Sequence, residues 1–470
     1  MYHRTWILSC CLLLLSCAKD APQVASLPQD KFIQAYFNQR ENQPQTYIDP
    51  YRQIERSGDN LAAIIVEEIL TAKLSIDLAV QELNLPLIAA ALVQKHNSGV
   101  KVRIILDNNY SRSITDLSKA EIESLNQRDR QKYNQLFELI DLDRNRRLSS
   151  PEIAQRDALT MLRKAGVEII DDTADGSKGS GLMHHKFMVV DRQTVILGSA
   201  NFTLSGLLGD LGNPASRGNV NHLLRLDNAQ IARLFSEEFE YMWGDTESGI
   251  ESKFGLAKPW RSPQTITWGN TAITLQFAPT SQQQDWSFST NGLIGKTLEE
   301  ATESINLALF VFSEQQLADI LQEKSQSGVE IKGIFDAGFA YRYYSEMLDL
   351  LGITLYFRCQ PEAGNNPWID PLRTVGTNQA NSGDKLHHKF TVIDSKTVIS
   401  GSQNWSQAGN QNNDEAVIII QNKTVAAQFS SEFDRLYQRA SFDLPTKVQS
   451  KIKQQQLQCD EFNMSVLELN

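Results

Sequence analysis

Two copies of one short pattern hold four of the chain's seven histidines. Met183-His184-His185-Lys186-Phe187-Met188-Val189-Val190-Asp191 returns as Leu386-His387-His388-Lys389-Phe390-Thr391-Val392-Ile393-Asp394. Each copy is followed, at the same distance, by Gly-Ser-x-Asn: Gly198-Ser199-Ala200-Asn201 and Gly401-Ser402-Gln403-Asn404. These residue types suit attack on a phosphodiester through histidine. The anionic oxygens of a diester repel a nucleophile, so cationic and hydrogen-bonding groups must neutralise them as the five-coordinate state forms. Lys186, Lys389, Asn201 and Asn404 suit that task, with Ser199 and Ser402 as further donors. One imidazole would attack phosphorus while the other protonates the departing alkoxide and then activates water. Histidine titrates near neutrality, which fits such a shuttle. Side chains of this kind would stand in for a divalent metal, so no cofactor is expected for catalysis.

The elements that carry these residues follow from their spacing. His-Lys-Phe-Met-Val-Val and His-Lys-Phe-Thr-Val-Ile read as strands, so side chains two apart share a face. His184 and Lys186 then face one way, and His387 and Lys389 do the same in the second copy. His185 and His388 point to the opposite face and read as packed or partnered core groups. Asp191-Arg192-Gln193 and Asp394-Ser395-Lys396 read as turns before second strands, which deliver Ser199 and Asn201, or Ser402 and Asn404, beside the first. The repeat also extends upstream. Ser75 to Val80 answers to Ser304 to Leu309, and the helical stretches Leu85 to His96 and Glu314 to Ser325 correspond. Gly99 to Asp107 answers to Gly328 to Asp336. Strand, helix, strand is a βαβ unit, so an α/β fold of two homologous halves is expected, each with a mostly parallel sheet flanked by helices. Ile33 to Phe37 and Ile273 to Phe277 read as the opening strand of each half. Lys101, Arg103 and Lys332, near strand ends, read as solvated.

The pattern His-x-Lys-x-x-x-x-Asp with its later Gly-Ser-x-Asn resembles the signature of the phospholipase D superfamily, over about residues 31–445. The resemblance implies a pseudo-two-fold molecule whose halves bring one motif each to a single shared active site. It implies His184 as nucleophile and His387 as general acid, although the near-symmetry of the sequence leaves the two roles exchangeable. Asp191 and Asp394 match the motif's Asp, for which an orienting role is implied. Members of the superfamily place an acidic residue after Gly-Ser-x-Asn to orient an imidazole. Glu415 fits in the second half, whereas the first half has Asn221-His222 at the matching place. Either one histidine lacks a carboxylate partner, or His222 fills another role.

One stretch breaks the repeat. Asp107 to His184 is longer than Asp336 to His387 by 26 residues. The surplus contains Asp141-Leu142-Asp143-Arg144-Asn145-Arg146-Arg147-Leu148-Ser149-Ser150-Pro151-Glu152, which resembles an EF-hand calcium loop. Its ligands would be Asp141, Asp143, Asn145, Arg147 through the backbone, Ser149 and Glu152. Helical flanks fit, Gln131 to Ile140 entering and Pro151 to Lys164 leaving. The sixth place, where a sharp turn favours Gly, holds Arg146. A calcium ion is the cofactor this loop implies, at the weak, extracellular end of affinity, on the order of 10⁻⁴–10⁻³ M.

Composition bounds the rest. The chain has 470 residues, 41% of them hydrophobic, and a formal net charge of −11. An acidic chain is not drawn to nucleic acid or anionic lipid as a whole, so any basic surface must be local. Arg4 and the apolar run Trp6 to Leu15 read as a secretory signal too short to span a bilayer. Leu14-Leu15-Ser16-Cys17-Ala18 resembles a bacterial lipobox, which makes Cys17 the expected site of lipid attachment. The expected location is exported, anchored to a bacterial membrane on the periplasmic or cell-surface side. Cys359 and Cys459 could pair in such a compartment. The expected division is 1–17 signal, 18–30 tether, 31–243 first half with an insert at about 131–164, 244–270 linker, 271–445 second half, and 446–470 a peripheral tail.

These readings point to a self-sufficient monomeric phosphodiesterase that removes phospholipid head groups through a phosphohistidine and is held at the membrane by its lipid anchor. Three alternatives share parts of the pattern. A nuclease would use the same residues but needs a basic groove that the sequence does not show. A phosphatidyl transferase differs only in replacing water by an alcohol. A calcium-responsive scaffold would have lost activity, which the two complete His/Lys/Asn sets argue against.

Overall fold

A computed structural model describes residues 27–40, 46–245 and 248–468, with side chains described up to 459. The signal segment and Cys17 lie outside the described residues, as does most of the tether. Seven strands form the first sheet: β1 (Ile33–Phe37), β2 (Ser75–Val80), β3 (Lys101–Leu106), β4 (Glu168–Asp171), β5 (Lys186–Val190), β6 (Thr194–Gly198) and β7 (His222–Asp227). Eight form the second: β8 (Gln264–Trp268), β9 (Thr271–Ala278), β10 (Ser304–Leu309), β11 (Glu330–Phe335), β12 (Val375–Thr377), β13 (Lys389–Ile393), β14 (Thr397–Gly401) and β15 (Glu415–Gln421). The strand orders are β1-β7-β6-β5-β2-β3-β4 and β8-β9-β15-β14-β13-β10-β11-β12. Apart from the added β8, the second is the first repeated.

The α/β class and the two like halves agree with the sequence reading, but the strand sense needs correction. Only β2-β3-β4 and β10-β11-β12 are parallel; every other pairing in the two sheets is antiparallel. The βαβ unit accounts for the parallel edge of each sheet. The motif strand then enters antiparallel to β2 or β10 and reverses through a three-residue turn, which permits only an antiparallel partner.

Each turn is built on the motif's aspartate. Asp191 (φ 52°) and Asp394 (φ 48°) adopt the left-handed conformation that Asp tolerates better than most residues. The Asp191 carboxylate accepts the backbone N–H groups of Lys73, Leu74 and Ser75 at 2.7–3.1 Å, and Asp394 accepts those of Thr302, Glu303 and Ser304. Burial opposes ionisation in both, yet these donors bring each pKa below the usual carboxylate value. The aspartates therefore clamp the hairpin to the strand beside it.

Three apolar layers result. One lies between the halves, where Phe187, Val189 and Leu197 meet Phe390, Val392 and Ile418, together with Phe235 and Phe429 from the helices Ala229–Trp243 and Lys423–Tyr437. The outer faces of the two sheets carry separate cores.

Several segments differ from their sequence reading. The linker 244–270 is part of the second sheet through β8, and its Lys258 is buried in ion pairs with Glu238 and Asp414. The tail forms the helix Thr446–Glu468, tied by a Cys359–Cys459 disulfide and by Gln455, which bonds both backbone groups of Tyr356. The tether's last residues dock on the second half, where Gln428 donates to the carbonyls of Leu27 and Pro28. The insert begins earlier than expected, with helices Lys119–Ser124 and Gln127–Ile140, and its leaving segment breaks at Asp157 into Ser150–Arg156 and Ala158–Lys164. Asp157 caps the second piece, a side-chain competition with the helix backbone that a smooth pattern hides. Arg103 is not solvated. It lies buried between Asp77 and Glu240, at 2.8 Å from each.

Candidate active site between the halves

The two motifs reach one another by exchanging backbone bonds across the halves. His184 N donates to Asp414 O at 3.0 Å, and His387 N donates to Val220 O at 3.0 Å. Short parallel bridges join Met183 to Asp414 and Val220 to Leu386. Behind each motif a buried aspartate at the end of the parallel strand accepts the N–H of the residue before the histidine. Asp107 does so for Met183 and Asp336 for Leu386, both at 3.0 Å.

Each histidine is thereby presented to the other half. His184 Nδ1 lies 2.7 Å from Glu415 Oε1, close enough for an ion pair though bent away from hydrogen-bond geometry. His387 Nδ1 lies 3.0 Å from Asn221 Oδ1. Asn221 and Glu415 are equivalent positions, because Ser199 Oγ donates to Asn221 Oδ1 at 2.7 Å and Ser402 Oγ donates to Glu415 Oε2 at 2.6 Å. Those same hydroxyls accept the N–H of His222 and Ala416. The serines thus hold the two acceptors in place, rather than facing a ligand as free donors. With Nδ1 of each ring turned toward Glu415 or Asn221, Nε2 is the ring atom left to react.

Buried cations surround the rings. Lys186 and Lys389 are 2% and 1% exposed, and each donates to the carbonyl of its own motif histidine, at 2.7 and 2.9 Å. Burial brings Lys186 down to about 7 and holds Lys389 well below its usual value, where Lys186 adds repulsion. Burial, then the two lysines, also hold His184 and His387 well below the ordinary imidazole value. Glu415, the carboxylate against His184, is pushed up to about 7 by burial. Cations this poorly compensated favour an anion in their midst.

The walls differ on the two sides, and the sequence reading passed over the residues responsible. Gln81 Oε1 accepts from Asn201 Nδ2 at 3.1 Å and lies 3.4 Å from Lys186 Nζ. Its counterpart is Phe310, whose ring lies 4.7 Å from His387 and 5.0 Å from Lys389 Nζ. Both sit one residue past a strand, outside any motif, and the only signal was their place in the repeat. The Oδ1 atoms of Asn201 and Asn404 are buried without a partner.

His185 and His388 sit on the far face, His185 against Glu238 at 2.9 Å and His388 against Glu432 at 3.1 Å. His222 lies with them, not in the site: its Nδ1 is 3.0 Å from His388 Nδ1 and its Nε2 2.7 Å from Ser400 Oγ. In the insert, carboxylate oxygens of Asp141, Asp143 and Glu152 lie within 4.8 Å of one another, a spacing a cation would fit. Arg146 takes φ 64° at the sixth place, accepting the turn that Gly would make more easily. In the loop as folded, these carboxylates accept backbone N–H groups, Asp141 from Asn145 and Arg146, and Glu152 from Leu142 and Ser149. Asn145 and Ser149 also spend side-chain atoms within the loop. A cavity of about 570 Å³ bordered by Arg192, Tyr241 and Lys253 holds none of these residues.

Comparison with known proteins agrees with this architecture. Residues 65–243 and 294–437 match the family described as "Cardiolipin synthase, PLD-like domain". The mitochondrial cardiolipin hydrolase of Mus musculus is 32% identical over 154 residues, 32% of this chain and 58% of that protein. The mitochondrial cardiolipin hydrolase of Homo sapiens is 30% identical over 154 residues, 51% of its length. The chain thus spans only about half the length of these relatives. Phosphatidylserine synthase of Haemophilus influenzae superposes with a TM-score of 0.52 at 13% identity, covering 86% of this chain and 92% of that one, a likeness of fold. The matched family segments cover more than half of the sequence and contain both motifs, so the chain belongs to the cardiolipin synthase, PLD-like domain family.

Proposed function

We propose that this protein is a phospholipid phosphodiesterase that works through a phosphohistidine on His184. The observation that carries the reading is the crossed pairing of His184 with Glu415 and His387 with Asn221, set among two buried lysines. Glu415 supports the imidazole that must become cationic as it bonds to phosphorus. His387, beside a neutral amide, is the more acidic imidazolium and suits proton donation. In the first step His184 Nε2 attacks phosphorus, the bond to the head-group oxygen breaks, and His387 gives its proton to that oxygen. In the second, His387 removes a proton from water, the hydroxyl bonds to phosphorus, and His184 leaves. Lys186, Lys389, Asn201 and Asn404 neutralise the diester oxygens throughout. Asp191, Asp394, Ser199 and Ser402 act by positioning. Side chains supply all the charge this step needs, so activity is expected to persist under chelation.

Similarity to cardiolipin hydrolases and to the cardiolipin synthase family supports a phospholipid substrate, and a glycerol-containing anionic lipid is the first to assay. The protein should be tested with vesicles of phosphatidylglycerol, cardiolipin or phosphatidylcholine, and with single-stranded DNA, all under EDTA. Head-group release that disappears in His184→Asn and His387→Asn supports the reading; cleavage of DNA alone overturns it. Added glycerol distinguishes hydrolysis from transfer by its product.

Two further expectations belong to the same reading. The Cys359–Cys459 disulfide fits an oxidising compartment, which supports export, and the lipobox-like Leu14-Leu15-Ser16-Cys17 supports anchoring at Cys17. Loss of acyl labelling in Cys17→Ala would test it. The oxygen spacing of Asp141, Asp143 and Glu152 supports a weak calcium site with Asn145, Arg147 and Ser149. Titration calorimetry with Asp141→Ala as control tests that site, and identical heats in the two proteins would dismiss it.

A further inference from the structure

Outside the paired histidines lies a cavity of about 500 Å³ between the insert helices and the ends of β2 and β3. Ligands of α/β sheets gather beyond the carboxyl ends of parallel strands, and this cavity occupies that place in the first half. The second half, shorter here, has only the helix Glu346–Leu350 in the corresponding stretch.

The lining of the cavity is continuous in chain with residues that contact or anchor the two-histidine site. Gln81, which contacts Lys186 and Asn201, runs directly into Glu82, Leu83 and Asn84 of the lining. Asp107, which anchors Met183, runs into Asn108 and Asn109. Tyr110, Ile114, Leu117, Leu125, Tyr133 and Leu136 line it while only half-buried, so apolar surface stays in water there. Several polar lining groups are already partnered. Glu82 pairs with Lys132 at 2.7 Å, Lys132 also sits 3.7 Å over the Tyr110 ring, Arg112 pairs with Glu121, and Asp157 accepts from Ser113. Polar groups spent on one another leave apolar burial as the gain for an occupant.

We propose that this cavity is an acyl-chain subsite, which seats one hydrocarbon tail of the lipid whose phosphate lies between His184 and His387. This rests on the phospholipid reading given above. The cavity belongs to the half that carries His184, so it holds the arm retained on that histidine while the head group leaves toward His387 and Phe310. Each methylene buried adds roughly fourfold in affinity, which makes chain length the readout.

The test uses the full chain and two variants on different insert segments, Leu136→Trp and Leu117→Trp, with melting curves to show that each folds. The first measurement is the ratio of kcat/KM for the dipalmitoyl and dibutyryl forms of one phospholipid. A drop of at least about tenfold in that ratio is expected in a folded variant; an unchanged ratio overturns the proposal. The second is equilibrium binding of the fluorescent acyl probe cis-parinaric acid, expected to weaken at least about tenfold in the variants. No binding by the wild type, or equal binding by the variants, also overturns it. Acyl binding lost in the variants, from a protein that cleaves no phospholipid, would retain the subsite and sink the catalytic reading instead.

Discussion

Glu415 against His184 and Asn221 against His387 break the near-symmetry of the motifs at the two rings to which the proposed reaction assigns attack and proton transfer. His387 must carry a proton to act as acid, yet burial and Lys389 pull its pKa down, so activity should fall as pH rises through that value. A carboxylate at 221 favours the imidazolium. Asn221→Asp should therefore move the alkaline limb of the kcat profile upward by about one unit. A limb that stays fixed would remove His387 from the acid role. His184 must be neutral to attack, and its lowered pKa keeps it so at neutral pH. Glu415→Gln retains shape but not charge, and should cost about 10²-fold or more in kcat. A loss confined to KM would mean that Glu415 only shapes the pocket.

At the scale of elements, His222 of β7 in one half meets Ser400 of β14 and His388, which immediately precedes β13, in the other, through a pair of uncharged imidazoles. Glu432 accepts from His388 Nε2, so a neutral His388 must accept at Nδ1, His222 must donate there, and Ser400 must donate to His222 Nε2. Burial lowers the pKa of both rings, with His388 adding to the shift of His222; Glu432 opposes the shift in each, while Lys389 deepens it in both and Arg435 in His388. The unfolded chain then binds more protons below its ordinary histidine pKa of about 6.5, and stability present above that value is lost as pH falls. Replacing His222 by Gln should reduce the slope of unfolding free energy between pH 7 and 5 by up to one proton, about 1.4 kcal/mol per pH unit. An unchanged slope would mean that these rings do not titrate on unfolding. The disulfide offers a second check. Cys459→Ser frees the helix Thr446–Glu468 and should cost about 2–4 kcal/mol, read as a lower melting temperature. Much of this organisation was legible in sequence. The hairpins β5–β6 and β13–β14 announce themselves through period-two patterning and turn residues, and the helices after β2 and β10 fell within one residue of their expected ends. Strand sense was less visible, because a buried strand looks alike in parallel and antiparallel company. Asn221 and Glu415 could be located, but not that each serves the other half's histidine, since that depends on how the halves dock. Gln81, Phe310 and the buried Arg103 carry no local pattern, and their partners lie far away in sequence.

For the whole molecule, the distribution of charge makes the strongest demand. A chain of net charge −11 encloses Lys186, Lys389, His184 and His387 at the junction of its halves, with Glu415 as the carboxylate set against His184. Burying an ammonium without full compensation is unfavourable, so this junction is less stable than an apolar one of the same shape would be. Function and stability should therefore separate here. Lys389→Met keeps the length of the side chain and removes its charge. It should abolish turnover while raising the stability of the ligand-free protein by on the order of 1 kcal/mol. Inorganic phosphate supplies the missing charge and should raise the melting temperature of the wild type in proportion to the logarithm of its concentration. Phosphate binding draws protons onto Lys186 and the histidines, whose pKa values are lowered in its absence. The stabilisation should accordingly weaken as pH rises past about 7, by as much as tenfold in affinity per unit for each proton taken up. In Lys389→Met the response to phosphate should be largely lost. A variant that melts lower than the wild type without phosphate, yet responds to it as the wild type does, would show that Lys389 is a packing group and that the anion sits elsewhere.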